Sequence, residues 1–134
     1  MSSKERKSLP IFTLFIILSL TTTGCELLNQ LKARNHLNKG VKAYSGQRYE
    51  IAVEEFEKAV SLDSELLNAR LYLATTYRSQ WTPGVYTDEN SAKADKAIAT
   101  FEEVLEKDPQ NVNAMANIAG IYNANDEPEN AKEW

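Results

Sequence analysis

The chain has 134 residues and a mass of 15.1 kDa, which is enough for one domain. Charged residues make up 25% and hydrophobic residues 43%, a composition typical of a folded protein rather than a disordered one. The formal net charge of −4 disfavours binding to nucleic-acid phosphates. The single cysteine and single histidine, Cys25 and His36, exclude an internal disulfide and any metal site built from two histidines or several cysteines.

Residues 1–24 have the three-part pattern of an export signal. Lys4, Arg6 and Lys7 come first, an apolar run extends from Leu9 to Leu20, and a short Thr/Gly segment follows. The run is shorter than the roughly 20 apolar residues that cross a bilayer. We therefore predict a cleaved signal peptide; the alternative is an uncleaved N-terminal anchor.

Cys25 stands where cleavage of such a signal would fall, directly after Gly24. At this point the sequence resembles a bacterial lipoprotein precursor, although Thr22 occupies the position where that family usually has leucine. The resemblance implies that Cys25 is acylated, for example with palmitate, and becomes the first residue of the mature chain. It implies a location in the cell envelope facing the periplasm. Because Glu26 is not the aspartate that marks inner-membrane retention, the outer membrane is favoured.

Removal of residues 1–24 would leave 12 Lys+Arg and 18 Asp+Glu, a net charge of −6. An acidic chain is repelled by an anionic membrane, so we expect the lipid rather than a basic patch to anchor it. Residues 25–32 are predicted to be a short tether. Since residues 26–38 contain no Pro, Gly or Ser, this tether should lead almost directly into a helix.

Small and aromatic residues recur along the rest of the chain at spacings of 34 and 45 positions. A unit of 34 residues, with 11 residues inserted in its second copy, accounts for all of these spacings. The recurring residues are Gly40, Ala74 and Ala119, Ala52, Ala97 and Ala131, Phe56 and Phe101, and Tyr77 and Tyr122.

Each unit is predicted to be a helical hairpin, because its apolar residues recur at helical spacing on both sides of a turn. The first hairpin turns at residues 46–48, and its second helix ends near residue 62. The second begins at Leu67, and Pro109 ends it. The third begins near Val112 and turns near residue 126, with Asp126 as a candidate cap. Two pairs of charged residues are spaced for contacts within one helix, Glu54 with Lys58 and Glu103 with Lys107.

This order of small and aromatic residues resembles the tetratricopeptide repeat, which implies an all-α solenoid of antiparallel helix pairs with about two and a half repeats. The repeats would be residues 33–66, residues 67–111 with an insertion near 79–90, and an incomplete unit at 112–134. Because the third unit ends inside its second helix, we expect the sequence to be truncated. The alternative fold is an unrelated bundle of three hairpins. The matching residues are Gly40, Ala52, Phe56, Ala59, Ala74, Tyr77, Ala97, Phe101, Pro109, Ile118, Ala119, Tyr122 and Ala131.

The resemblance further implies a concave groove, lined by the first helix of each hairpin, that binds a peptide or a partner protein. Leu37 and Val41 stand where the carboxylate clamp of chaperone-binding members has Lys and Asn, so that clamp is not expected. The alternative is that the apolar residues of this set pack between helices. The candidate groove residues are Arg34, Leu37, Val41, Tyr44, Asn68, Leu71, Thr75, Arg78, Asn113, Ala116 and Asn123.

The insertion at residues 79–90 carries two aromatic residues, Trp81 and Tyr86, near a Pro83–Gly84 turn signal. Exposed on a loop, they would form a second recognition element; the alternative is a hydrophobic plug that folds back on the hairpin. Asp88 or Ser91 is predicted to cap the helix that follows.

Catalysis would need convergent reactive groups, which neither His36 nor Cys25 supplies. We therefore predict a non-enzymatic adaptor or scaffold of the cell envelope, with a protein or peptide partner and a lipid anchor on Cys25. We predict no metal, cofactor, nucleic acid or small-molecule substrate. The alternative is a docking or regulatory segment of a larger exported protein whose active part lies beyond residue 134.

Overall fold

A computed structural model describes the backbone of residues 11–125 and residue 134, and the side chains from residue 24 onward within those ranges. Its five helices are α1 (Ile11–Ser45), α2 (Tyr49–Leu62), α3 (Leu67–Gln80), α4 (Asp88–Lys107) and α5 (Val112–Ala124), and the described ranges contain no strand. No helix in those ranges has a segment both long and apolar enough to cross a membrane.

Each helix packs against the next one along the chain, and α1 also touches α3. This neighbour-by-neighbour packing is the arrangement of a solenoid, so the predicted all-α fold is confirmed. The predicted cap Asp126 and the repeat residue Ala131 lie outside the described residues.

Most of the core lies in two clusters of buried side chains, of which the first joins α1, α2 and α3 and the second joins α3, α4 and α5. The first cluster contains Phe56 at its centre, and the second contains Phe101. Tyr77 packs against both clusters, so it fills the space between successive hairpins. The buried members are Ala43, Ala52, Phe56 and Leu73 in the first cluster, and Ala74, Trp81, Ala94, Ala97, Phe101, Val104, Ala114, Ile118 and Ile121 in the second.

The insertion in the second unit is divided between a loop and the two helices beside it, so the loop is shorter than the predicted residues 79–90. Helix α3 continues through Gln80, the loop occupies residues 81–87, and α4 begins at Asp88. The N-cap of α4 is Thr87, not Asp88 or Ser91. Thr87 has an extended backbone, and its Oγ1 accepts a hydrogen bond of 3.2 Å from the N–H of Asn90.

The charged pairs differ in part from the prediction. Lys58 Nζ lies 2.7 Å from Glu54 Oε1, as predicted. Glu103 instead contacts the buried Arg70 of α3, with 2.9 Å between Nε and Oε2, and Lys107 contacts Glu65, with 2.5 Å between Nζ and Oε1. The predicted pair of Glu103 with Lys107 is therefore wrong, because both side chains reach across to the neighbouring element.

Candidate functional site

A cleft of ≈ 320 Å³ opens between α3 and α5, the first helices of the second and third units. Its lining is entirely uncharged: a leucine, a tyrosine, a threonine and two asparagines. Such a mixture offers apolar contact together with hydrogen-bonding groups for a peptide backbone. The lining residues are Leu71, Tyr72, Thr75, Asn113 and Asn117.

Hydrogen bonds to the helix backbone fix two of these side chains. The hydroxyl of Thr75 donates to the carbonyl oxygen of Leu71 at 2.8 Å. The amide nitrogen of Asn117 donates to the carbonyl oxygen of Asn113 at 2.7 Å. The remaining acceptor capacity of Thr75 and Asn117 faces a cleft whose shape is set before a ligand arrives.

The tyrosine in the cleft is held by the core of the first hairpin. The ring of Tyr72 stacks on that of Phe56, with centroids 5.5 Å apart and planes inclined by 12°. Phe56 is completely buried, whereas Tyr72 is 39% exposed. Tyr72 therefore presents a fixed aromatic surface beside the cleft.

Three of the predicted groove residues line this cleft, Leu71, Thr75 and Asn113, together with Tyr72 and Asn117, which were not predicted. Tyr72 directly follows the predicted residue Leu71, and Asn117 directly follows the predicted residue Ala116. The repeat pattern assigns fixed groove positions to the first helix of each unit, and neither Tyr72 nor Asn117 occupies one of them. Their aromatic and amide side chains are the signal that could have pointed to them.

The first-hairpin candidates contribute mainly to packing. Leu37 and Val41 are half-buried against the cluster around Phe56, so the alternative of packing between helices holds for both. Tyr44 is also half-buried, and its hydroxyl lies 3.0 Å from Ser79 Oγ, which ties α1 to α3. Arg34 is exposed on α1 and does not line the cleft.

A second recess of ≈ 230 Å³ is lined by Arg78 with Ser79, Trp81 and Pro83. The guanidinium Nη2 of Arg78 also lies 3.6 Å from the position that a Cβ on Gly120 would occupy, so it reaches α5. Arg78 thus places a positive charge between this recess and α5. The remaining candidates, Asn68, Ala116 and Asn123, are exposed and do not line the cleft.

Trp81 is 8% exposed and belongs to the second core cluster. The expectation that it is displayed on the loop is therefore wrong, and the alternative of a hydrophobic plug describes it. Trp81 follows α3 directly, so its side chain continues the buried side of that helix. Tyr86, by contrast, is 72% exposed, and Val85 beside it is 44% exposed.

One buried side chain, Asn90, organises the loop between α3 and α4. Its Oδ1 accepts from the N–H of Thr82 at 2.9 Å, and its Nδ2 donates to the carbonyl oxygens of Thr82 and Val85, each at 2.8 Å. Gly84 has a φ of +76°, a conformation that a glycine adopts without strain. The loop therefore holds Tyr86 on a defined backbone.

His36 and Glu55 connect α1 with α2, with 2.9 Å between Nδ1 and Oε2. The hydrogen bond from His36 holds the pKa of the Glu55 carboxyl below its ordinary value. His36 is thus engaged in a structural contact. Among the side chains from residue 24 to residue 125 and Trp134, no three His, Cys, Asp or Glu groups converge to hold a metal ion.

The packing of consecutive hairpins, with small residues where their helices cross, defines a solenoid of helical repeats. Residues 33–66 and residues 91–134 each match a family model described as tetratricopeptide repeat. The chain therefore belongs to the tetratricopeptide repeat proteins, whose repeats are typically non-catalytic modules that bind protein partners. No curated protein sequence matches the chain.

Proposed function

We propose that the chain is a membrane-anchored adaptor or scaffold of the bacterial cell envelope that binds an extended peptide or a partner protein between α3 and α5. The observation that carries the binding role is the uncharged cleft of ≈ 320 Å³ on the first helices of two successive units. Its two asparagines and one threonine suit a peptide backbone, and Leu71 with Tyr72 suits an apolar side chain of the ligand.

The exposed pair Val85 and Tyr86 supports a second contact with the same partner. The hydrogen bonds of Asn90 fix the loop backbone before binding, which lowers the entropy lost when a partner contacts the tyrosine. Arg78 lies between this loop and α5 and would favour a partner segment that carries a carboxylate.

The binding role is tested by the double substitution Asn113→Ala with Asn117→Ala in the full chain. Asn123→Ala is the matched control, because Asn123 is an exposed asparagine of the same helix that does not line the cleft. Partners that copurify with the chain from cell envelopes are quantified by mass spectrometry for the three proteins. We expect the double variant to lose a partner that the control retains; equal recovery of every partner would contradict the proposal.

Membrane anchoring is supported by the sequence pattern around Cys25 and by the exposure of this residue on α1. The thiol would carry the lipid, and export would place the domain in the periplasm, with the outer membrane favoured. The acyl chains would supply about 0.8 kcal/mol of membrane affinity for each buried CH₂ group. Because α1 is continuous from Ile11 to Ser45, the lipid would be joined to the first repeat by a helix.

The anchor is tested by the mass of the chain isolated from envelope membranes. We expect cleavage after Gly24 and a mass increase on Cys25 that corresponds to acylation. Cys25→Ser should remain at precursor length without that increase. An unmodified Cys25 in the membrane-bound wild-type chain would contradict the lipid anchor while leaving the binding role intact.

A further inference from the structure

Three leucines near the start of the described part of α1 are exposed to an unusual degree. Leu27, Leu28 and Leu31 are 58%, 56% and 56% exposed. Residues three and four positions apart share a side of a helix, so the three leucines form one apolar stripe. A stripe of this kind on a solvent-exposed helix indicates contact with another apolar phase.

The stripe takes no part in the packing of the repeats. Residues 24–29 are all exposed, which means that this part of α1 projects beyond α2. The first completely buried residue of α1 in the described range is Ala33. Ala33 is two positions from Leu31, and such positions point to roughly opposite sides of a helix. The leucines therefore face away from α2.

Basic residues flank the stripe and continue along the same side of the helix. Lys32, Arg34, Lys39 and Lys42 are exposed, and none of them makes an ion pair among the described residues. Residues 25–45 contain four basic residues and one acidic residue, whereas residues 46–134 contain eight basic and seventeen acidic residues. Residues 25–45 thus carry a net positive charge, whereas the rest of the chain that follows them is strongly acidic.

We propose that this side of α1, formed by the three leucines and the four basic residues and here named the outer face, lies along an anionic phospholipid bilayer. Leucines would enter the boundary between headgroups and acyl chains, while lysines and arginine extend to the phosphates. The proposal deepens the proposed anchoring and rests on it for the location of the chain at a membrane. It also revises the expectation that the lipid alone holds the domain there.

The outer face fits a bilayer better than a second copy of the chain or a peptide. All of its residues lie on one helix, and the part that carries the leucines projects beyond α2. Long cationic side chains beside an apolar stripe match the layered chemistry of a membrane interface. Cys25, the proposed lipid site, lies two residues before Leu27 and would bring the stripe to the bilayer.

A helix that lies along the bilayer and a helix that stands on it place Asn38 at different heights. Asn38 is exposed and follows Cys25 by 13 positions, which is about 20 Å at 1.5 Å per residue. In the proposed orientation a label at Asn38 lies at the headgroups. In an upright helix the same label lies about 20 Å out in water.

The test uses the full chain with Cys25→Ser and a nitroxide attached at Asn38→Cys. Its accessibility to oxygen, which concentrates in lipid, is compared with that to a water-soluble nickel chelate. The vesicles are phosphatidylglycerol with phosphatidylethanolamine, or phosphatidylcholine alone. A second chain labelled at Glu106→Cys, an exposed residue of α4, reports on the acidic second hairpin.

We expect the oxygen-to-nickel ratio at Asn38 to rise above the water-like value on the anionic vesicles, and a water-like ratio at Glu106. Replacing the three leucines by serine, or Lys39 and Lys42 by glutamate, should return the Asn38 label to the water-like ratio. Val112→Ser is the matched control, because Val112 is 73% exposed on α5 and lies off the outer face. Residues 1–24 are identical in all variants, so any difference in the accessibility ratio between them arises from the substituted side chains.

A water-like ratio at Asn38 on vesicle-bound chain would overturn the proposal, as would an unchanged ratio in the leucine variant. Equal insertion into phosphatidylcholine would contradict the part played by charge. Close approach of two Asn38 labels without vesicles would assign the face to a second copy of the chain. Because Cys25 is serine in this test, its result is separate from the mass measurement of lipidation.

Discussion

The α-carbon of Gly40 lies directly against the ring of Phe56. A Cβ added to Gly40 would come within 2.5 Å of Phe56 Cε1 and 2.9 Å of Cζ, closer than real contacts allow. The ring of Phe56 cannot easily move aside, since it is completely buried and stacks on Tyr72. The crossing of α1 and α2, and the position of the tyrosine beside the cleft, therefore depend on a glycine at this position.

Gly40→Ala should destabilise the protein. A glycine-to-alanine change inside a helix normally adds up to about 1 kcal/mol of stability, but here overpacking should cost about 1–3 kcal/mol. Gly120→Ala is the control, because its new Cβ would meet Arg78 at an ordinary 3.6 Å. Urea midpoints should fall for Gly40→Ala and stay level or rise for Gly120→Ala. A shift in the same direction for both would contradict this account of the crossing.

Asn90→Ala should loosen the loop that carries Tyr86. The substitution removes three hydrogen bonds to the loop backbone and leaves Thr82 N–H without its partner. We expect a loss of about 1–2 kcal/mol, since water replaces part of these bonds. Amide hydrogen exchange at Thr82 should become faster, and Trp81 emission should shift to longer wavelength. Asn68→Ala, at an exposed asparagine of α3, should change neither measurement.

Tyr77 should titrate at unusually high pH. Burial, followed by its hydrogen bond of 2.9 Å to Glu57, raises the pKa of Tyr77 from 10.0 to about 12. The stability that this group contributes is present below pH 10 and declines as pH rises from 10 towards 12, because the unfolded chain loses its proton first. Absorbance of tyrosinate at alkaline pH should show one late-titrating group in the wild type. That group should be missing in Tyr77→Phe, whose stability should fall less between pH 10 and 12.

The contact between Glu55 and His36 should stabilise the first hairpin at pH values above the ordinary pKa of a glutamate. The depressed pKa of Glu55 means that its contribution is present above the ordinary value of 4.5 and is lost as pH falls through the lower folded value. Glu55→Gln should therefore lower stability near pH 6 and show a weaker decline below pH 4.5. Thermal unfolding across this range measures it. Glu54→Gln, at an exposed position beside it, should retain the wild-type acid decline.

The sequence predicted the hairpins because their small and aromatic residues recur at fixed spacing, and α2, α3 and α5 begin at or next to the residues expected. It did not predict how the 11 inserted residues are divided between α3, the loop and α4. Thr87 caps α4, and Asn90 holds the loop backbone, only when the loop closes on α4. Contacts between helices were missed for the same reason. The spacing of Glu103 and Lys107 predicts only contacts within α4. Their actual partners, Arg70 and Glu65, lie on α3 and in the loop before it.

The candidate site was predicted in part. Leu71, Thr75 and Asn113 follow from the repeat register, which defines the side of each first helix that faces the groove. Tyr72 was missed because its place beside the cleft depends on stacking with Phe56 of a different helix. The predicted exposure of Trp81 was wrong because an apolar ring directly after α3 gains more by joining the core than by facing water.

Site-specific photo-crosslinking in cells tests the binding role most directly. A photoreactive amino acid is placed at Asn113 or Asn117 in the cleft, or at Glu102 or Glu106 on α4. If the partner binds between α3 and α5, the same covalent adduct forms from both cleft positions and from neither position on α4. Adducts of the same protein from α4 alone, or equally from all four positions, would contradict partner binding between α3 and α5.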